Sequence, residues 1–157
     1  MKVFIFDLDD TIIYHPFGQV NYNNIIYDHN LYDLLNELKY PKIIYTNGTH
    51  GHAETVLKNM KLTNLFTAVY ARDTIPAMKP HMKSYSFVEK DIRKNIDEKN
   101  KYYFFEDRLE NLEVARSRGW ITIWISTNFM NKPIYVDYAF PNIHTSLMYF
   151  SIDQSIF

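Results

Sequence analysis

Acidic and hydroxyl residues cluster at the ends of apolar runs. Asp7, Asp9, Asp10 and Thr11 follow KVFIF, Thr46 and Asn47 follow KIIY, and Glu106 and Asp107 follow YYFF. Acids gathered in one crevice repel by roughly 4 kcal/mol per close pair at an effective dielectric near 20, unless a cation or a proton separates them. Oxygen ligands with no thiolate nearby favour Mg2+. An ion held by a few carboxylates and a phosphate would offset the repulsion and anchor an anionic substrate. Asp7 and Asp107 are the first side-chain candidates as ligands, with the backbone carbonyl of Asp9 beside them. In extended chain the two-residue offset points Asp7 and Asp9 to one side and Leu8 to the other.

These segments must be brought together by the elements that carry them. Continuous rather than alternating apolar runs at Lys2 to Phe6, Lys42 to Tyr45, Ala68 to Tyr70, Tyr102 to Phe105 and Ile121 to Ile125 suit strands buried on both faces of a parallel sheet. Between them, Asn30 to Lys39 sets Leu31, Leu34, Leu35 and Leu38 on one helical face, with Asn30 as the expected N-cap. His52 to Met60, Lys83 to Ile96 and Leu109 to Arg118 read as further helices, the last closed by Gly119. The tail from Asn128 to Phe157 reads as a short strand and a helix near Thr145 to Ile152. Strand and helix in alternation predict an α/β fold, a doubly wound and mainly parallel sheet with right-handed crossovers. Ligands in such sheets sit beyond the carboxyl ends of the strands, so the polar segments should converge on one site.

Composition narrows the function. At 157 residues one domain over 1–157 is the expectation. With 17 basic against 18 acidic residues, the chain has no global electrostatic reason to bind nucleic acid or an anionic membrane. Zero cysteines exclude a disulfide framework and thiolate chemistry and fit a reducing compartment. No apolar run approaches the ~18 residues of a membrane span. The N-terminal run meets acid too soon for a signal peptide, so the expected location is cytoplasmic.

FDLDDT at Phe6 to Thr11, YTN at Tyr45 to Asn47, KP at Lys79 and Pro80, and FFEDRLEN at Phe104 to Asn111 resemble, in order and over about residues 1 to 127, the four motifs of the haloacid dehalogenase-like (HAD) phosphohydrolases. The stretch ARDTIPAMKPHMKSY together with FFEDRLENLEVARSRGW is most similar to the pyrimidine 5′-nucleotidase branch, with Arg108 replacing its usual small hydroxyl residue. The resemblance implies a Rossmann-like core and a Mg2+-dependent phosphomonoesterase acting through an aspartyl-phosphate. Asp7 would be the nucleophile, and Asp9 the acid that protonates the leaving oxygen and then the base that activates water. Thr46, with Asn47 beside it, would bind phosphate. Lys79 would neutralise the phosphoryl charge and tether Asp7. Asp107 would hold the metal with Asp7 and the Asp9 carbonyl, while Glu106 and Asn111 would orient those ligands. Dehalogenases of the superfamily act on carbon and lack the second aspartate, so Asp9 favours phosphoester chemistry.

Thirty residues separate Thr11 from Lys42 and thirty-one separate Asn47 from Lys79, which leaves little or no room for the cap domain many relatives carry. A short flap or minimal cap over about 12–40 is the expectation, with the aromatics of Tyr14 to Tyr27 stacking on a base or simply forming a surface loop. By resemblance the substrate is a nucleotide or another small phosphorylated metabolite. An open site equally admits a macromolecule, such as a polynucleotide 3′-phosphate or a phosphoprotein, or the lid of a neighbouring subunit in a homo-oligomer. A non-catalytic phosphate-binding module is the alternative from another class, and intact Asp7, Asp9, Lys79 and Asp107 argue against it. The remaining polar residues read more plainly. Asp10 reads as a turn former, His50 and His52 as surface histidines lacking a third ligand, and His81 as a helix-start residue.

Overall fold

A computed structural model describes residues 1–152, so the last five residues of the expected tail lie outside the described residues. Six parallel strands form one sheet: β1 (Lys2–Phe6), β2 (Lys42–Tyr45), β3 (Ala68–Tyr70), β4 (Lys101–Glu106), β5 (Ile121–Ile125) and β6 (Tyr138–Phe140), in the order β3-β2-β1-β4-β5-β6. The connecting helices are α1 (His29–Glu37), α2 (His50–Asn59), α3 (Met82–Asn95), α4 (Leu109–Ser117) and α5 (Ile143–Ser151). The chain winds outward from β1 to β3 and then returns to β4 on the other side of β1. The crevice at this reversal opens at the carboxyl ends of β1 and β4.

The continuous apolar strands divide by parity, as a sheet buried on both faces requires. Phe4 and Phe6 of β1 pack on one side with Leu31 and Leu35 of α1, Val56 of α2, and Leu147 and Phe150 of α5. Val3 and Ile5 pack on the other with Tyr85, Val88 and Ile92 of α3 and Leu112 and Ala115 of α4. Phe6 stacks on Phe105 at 4.5 Å between ring centroids, and Phe105 meets the edge of Phe150 at 5.6 Å. Each such ring removed from water contributes roughly 1.5–3 kcal/mol. The strand ends that carry polar residues are therefore held by rigid, well-packed elements.

Several helices start one or two residues earlier than the sequence reading, each time because a side chain of an earlier residue caps there. Asp28, not Asn30, caps α1: its Oδ1 accepts from Leu31 N at 3.1 Å, while its Oδ2 meets Nε2 of His144 on α5 at 2.8 Å. Thr49 caps α2 by accepting from His52 N, so that helix begins at His50. His81 caps α3 through its ring nitrogen, the helix-start role expected of it. Gly119, at φ +82°, sits just beyond α4 in the left-handed region that glycine adopts freely. Among the described residues no helix is long and apolar enough to cross a membrane.

Candidate active site

Beyond β1 the parallel pairing persists for one more bond, from Asp7 N to Phe105 O at 2.9 Å, and this fixes Asp7 against the end of β4. Leu8 turns into the core, fully buried, and leaves Asp7 and Asp9 on the crevice side. Asp10 then turns the chain at φ +60°, and its Oδ1 accepts from His15 N at 3.0 Å, the turn-forming role expected of it. Across the sheet, Thr46 N bonds Tyr70 O at 2.9 Å, which seats Thr46 at the end of β2.

Asp7, Asp9, Thr46, Asn47, Lys79, Glu106, Asp107 and Asn111 all line one cavity of about 200 Å3, together with Asp10, Gly48 and Arg108. A larger cavity of about 930 Å3 lies beside it, sharing only Asp10 with the first. It is lined largely by apolar side chains such as Ile12, Ile26, Leu31 and Ile143, and it contains neither the acid cluster nor Lys79. Charge density, not volume, marks the smaller one as the place for anionic chemistry.

One wall of this cavity is buried and saturated with hydrogen bonds. Lys79 Nζ donates to Asp7 Oδ1 at 3.1 Å, Glu106 Oε2 at 2.9 Å and Tyr45 O at 2.7 Å. Glu106, with no solvent exposure, also accepts from Asn111 Nδ2 at 3.1 Å, and its Oε1 accepts from the backbone of Asp107 and Arg108. Four donors thus occupy Glu106, which shapes the loop after β4 and anchors Lys79. Asn47 grips the lysine's main chain in both directions, accepting from Lys79 N at 2.9 Å and donating to Lys79 O at 3.0 Å. Its amide is therefore engaged with Lys79, whereas Thr46 accepts from Gly48 N at 3.0 Å and keeps its hydroxyl hydrogen for a ligand. Thr11 bridges the two remaining acids, 3.2 Å from Asp7 Oδ2 and 3.0 Å from Asp107 Oδ1. Trp124 Nε1 donates to Asp107 O at 2.9 Å and ties that loop to β5.

The electrostatics of this wall call for more positive charge than Lys79 supplies. Burial pushes the Asp7 carboxyl up to about 6 against the pull of Lys79. Burial, and then the neighbouring Asp7 charge, raise Glu106 to about 7. Burial and the Glu106 charge raise Asp107 to about 7. Burial alone would lower Lys79, but the charges of Asp7 and Glu106 hold its ammonium well above the usual lysine value. Carboxyl oxygens of Asp7, Glu106 and Asp107 lie within 4.8 Å of one another. Because Glu106 is saturated, Asp7 and Asp107 are the pair with oxygens to offer. Hard donors whose carboxylate forms are disfavoured without a cation fit Mg2+.

The opposite wall holds residues that the sequence reading did not place in the site. His15 Nε2 lies 2.6 Å from Asp9 Oδ1, and His52 Nε2 lies 2.8 Å from Oδ1 and 3.0 Å from Oδ2 of the same carboxyl group. His52, read from sequence as a surface histidine, is only 14% exposed in its side chain, while His50 does lie at the surface. Two signals point to His52: the Thr46 loop leads straight into α2, so the first turn of that helix must face the crevice, and Gly48 allows the approach. A Cβ at Gly48 would stand 3.0 Å from the His52 ring, 3.3 Å from Thr46 Oγ1 and 3.5 Å from Asp9 Oδ2. Arg108, which also reaches the cavity, pairs with Glu110 at 2.8 Å on the surface.

The sequence pattern of the haloacid dehalogenase-like hydrolases matches residues 19–125, a span that contains Thr46, Lys79 and Asp107 and begins after Asp7 and Asp9. Comparison with curated proteins gives no match. Among solved structures, the fold resembles the HAD-hydrolase YfnB of Bacillus subtilis, bound to magnesium, at a TM-score of 0.63 and 17% identity over 80% of this chain and 56% of that one. It also resembles a predicted phosphoglycolate phosphatase from Haemophilus somnus at 0.59 and 20%, over 77% and 56% of the two chains. The L-2-haloacid dehalogenase of Xanthobacter autotrophicus, with chloropropionic acid covalently bound, gives 0.58 and 17%, over 76% and 59%. The chain thus spans somewhat over half the length of these structures, and at such identities the likeness establishes the fold. With the family pattern covering most of its length, the chain belongs to the haloacid dehalogenase-like hydrolases.

Proposed function

We propose that the chain is a Mg2+-dependent phosphomonoester hydrolase that works through an aspartyl-phosphate on Asp7. The observation that carries this reading is the setting of Asp7: 3.1 Å from the buried Lys79 ammonium, linked through Thr11 to Asp107, with Asp9 and Thr46 in the same cavity. The family includes dehalogenases that attack carbon, and Asp9 supports phosphoester chemistry because those enzymes lack this second acid.

In this reading an Asp7 carboxylate oxygen attacks phosphorus in line, and the bond from phosphorus to the leaving oxygen breaks as protonated Asp9 gives that oxygen its proton. Water then attacks the phosphorus of the acyl phosphate while the Asp9 carboxylate takes its proton. The bond between phosphorus and the Asp7 oxygen breaks, releasing phosphate with Asp7 ionised and Asp9 protonated again. Lys79 neutralises charge on the transferring group, and the Thr46 hydroxyl donates to one of its oxygens. Mg2+ held by Asp7, Asp107 and the Asp9 carbonyl would screen the acids and polarise the phosphoryl oxygens.

A cavity of about 200 Å3 suits a phosphoryl group and an ion, below the roughly 300 Å3 or more of pockets that enclose a small molecule. The rest of the substrate would extend past the rim. We assign a nucleotide or another small phosphorylated metabolite, by similarity to the pyrimidine 5′-nucleotidases, with 12–40 as a minimal cap on a single catalytic domain and the cytoplasm as its place. A second reading, a phosphorylated polynucleotide end or phosphoprotein, is favoured by the β1–β2 connection, which consists of two short 3-10 turns (Pro16–Gly18 and Tyr22–Asn24) and α1. The test is hydrolysis of p-nitrophenyl phosphate with Mg2+, with chelator and by Asp7→Asn, followed by pyrimidine mononucleotides against a 3′-phosphorylated oligonucleotide and a phosphopeptide. Metal-dependent turnover lost in Asp7→Asn is expected, and absence of turnover by folded wild-type protein would overturn the reading.

A further inference from the structure

The site reading leaves the pair of histidines on Asp9 unexplained. His15 is 6% exposed and comes from the loop after β1; His52 comes from the first turn of α2, 43 positions along the chain from Asp9. Both present Nε2 to the same carboxyl group at 2.6–3.0 Å. On the far side of the His52 ring, Nδ1 lies 2.6 Å from the Tyr22 hydroxyl. Tyr22 is itself tied to α2, since its carbonyl accepts from Asn59 Nδ2 at 3.2 Å. With the Tyr22 hydroxyl as donor to Nδ1, His52 carries its hydrogen on Nε2 and donates it to Asp9. Separations of 2.6 to 3.0 Å are those of hydrogen bonds, shorter than the ~3.4 Å between tetrahedral ligand atoms about 2.1 Å from a shared metal.

We propose that His52 and His15 are positioning residues that hold the Asp9 carboxyl group at the leaving-group oxygen, with Tyr22 fixing the tautomer of His52. This rests on the reading of Asp9 as the acid and base. Proton transfer is sensitive to such placement, because the carboxyl must lie within hydrogen-bond reach of an oxygen whose charge develops only as the bond breaks. Asp9 sits on the half-exposed rim of the cavity, with a side chain 30% exposed, and its rotamer would otherwise be free to swing toward water.

The experiment varies the leaving group. kcat/KM, which reports the steps up to and including phosphorylation and excludes hydrolysis of the intermediate, is measured with Mg2+ for a series from 2,4-dinitrophenyl phosphate to simple alkyl phosphates. A dinitrophenolate departs without a proton, whereas an alkoxide needs one. For His52→Ala we expect a loss of about 10²-fold on alkyl phosphates and less than about 3-fold on the dinitrophenyl ester, the behaviour of a misplaced general acid. His52→Gln, whose amide nitrogen can stand where Nε2 stood, should recover most of the alkyl activity. Tyr22→Phe, a surface change that leaves the fold intact, should shift the dependence the same way by a smaller factor. Asp9→Asn is the reference and should steepen it most. Uniform loss across the series, or none, in both His52→Ala and Tyr22→Phe while Asp9→Asn steepens it would overturn this inference alone. A flat response in Asp9→Asn, or no turnover by the wild type, would overturn the parent reading and this one with it.

Discussion

The two walls of the cavity are built on opposite principles. On one side Lys79, Glu106, Asn111 and Asp7 are buried and joined by bonds that leave Glu106 no free lone pair. On the other, Asp9, His15, His52 and Tyr22 form a chain that runs from the cavity out to solvent, assembled by a loop folded back on a helix. The first wall is buried and held by many bonds to charged groups. The second presents Asp9, more exposed and oriented by only a few bonds, as suits the proposed exchange of protons with a departing oxygen and with water. In the proposed mechanism, fixing a nucleophile and handling a proton make different demands on burial, and the two walls differ in the way those demands would require.

The widest gap between the walls should open in chemistry. Asp7→Asn removes the oxygen proposed to attack and should lower kcat on the order of 10⁴-fold or more in aryl phosphate turnover by protein that still unfolds cooperatively. Stability should show the opposite asymmetry. Glu106→Ala leaves the Lys79 ammonium buried beside one acid where there were two, and should cost about 3–5 kcal/mol in denaturant unfolding. Tyr22→Phe on the other wall should stay within about 0.5 kcal/mol of wild type.

Protonation gives a subtler contrast. Asp7, Glu106 and Asp107 have folded-state values above those of the unfolded chain, so the folded protein binds more protons between about pH 4 and 7. Without metal, the contribution of these acids to stability is therefore full at low pH and lost as pH rises through about 6 to 7. Lys79, raised in the folded state, contributes constantly across this window, because its stabilisation fades only at alkaline pH. Mg2+ bound by Asp7 and Asp107 as proposed would displace those protons, so the rise in melting temperature that it produces should grow from pH 5 to pH 8, by on the order of 5 °C at saturating ion. A shift independent of pH would remove Asp7 and Asp107 as its ligands.

The same division decides what the sequence made legible. Residues of the buried wall follow strands whose continuous apolar runs announce them, and Asp7, Thr46 and Asp107 stand one or two places past those runs. Strand boundaries were legible for the same reason, since burial on both faces keeps the interiors of the runs apolar apart from Thr122, whose hydroxyl is hydrogen-bonded to Tyr135 O. Glu106 and Asn111 could be named but not ranked, because only the fold reveals that one acid anchors a lysine 27 positions away. The histidine wall left no periodic pattern, only the glycine between Thr46 and α2. His52 meets Asp9 through the packing of α2 against the loop after β1, and pairing over 43 positions has no periodicity to betray it. Asp28 displaced Asn30 as the cap of α1 for a related reason: its second oxygen is engaged by His144, a contact from the far end of the chain.

The central claim is that Asp7 takes the phosphoryl group. It is tested most directly by incubating Asp9→Asn with Mg2+ and 2,4-dinitrophenyl phosphate, quenching in acid and mapping the phosphorylated peptide by mass spectrometry. That ester needs no acid for its first step, and the variant lacks the base for the second, so the intermediate should accumulate. The account predicts one phosphoryl group on the peptide containing Asp7. A phosphoryl group on another residue, or none while the leaving group is released catalytically, would contradict it.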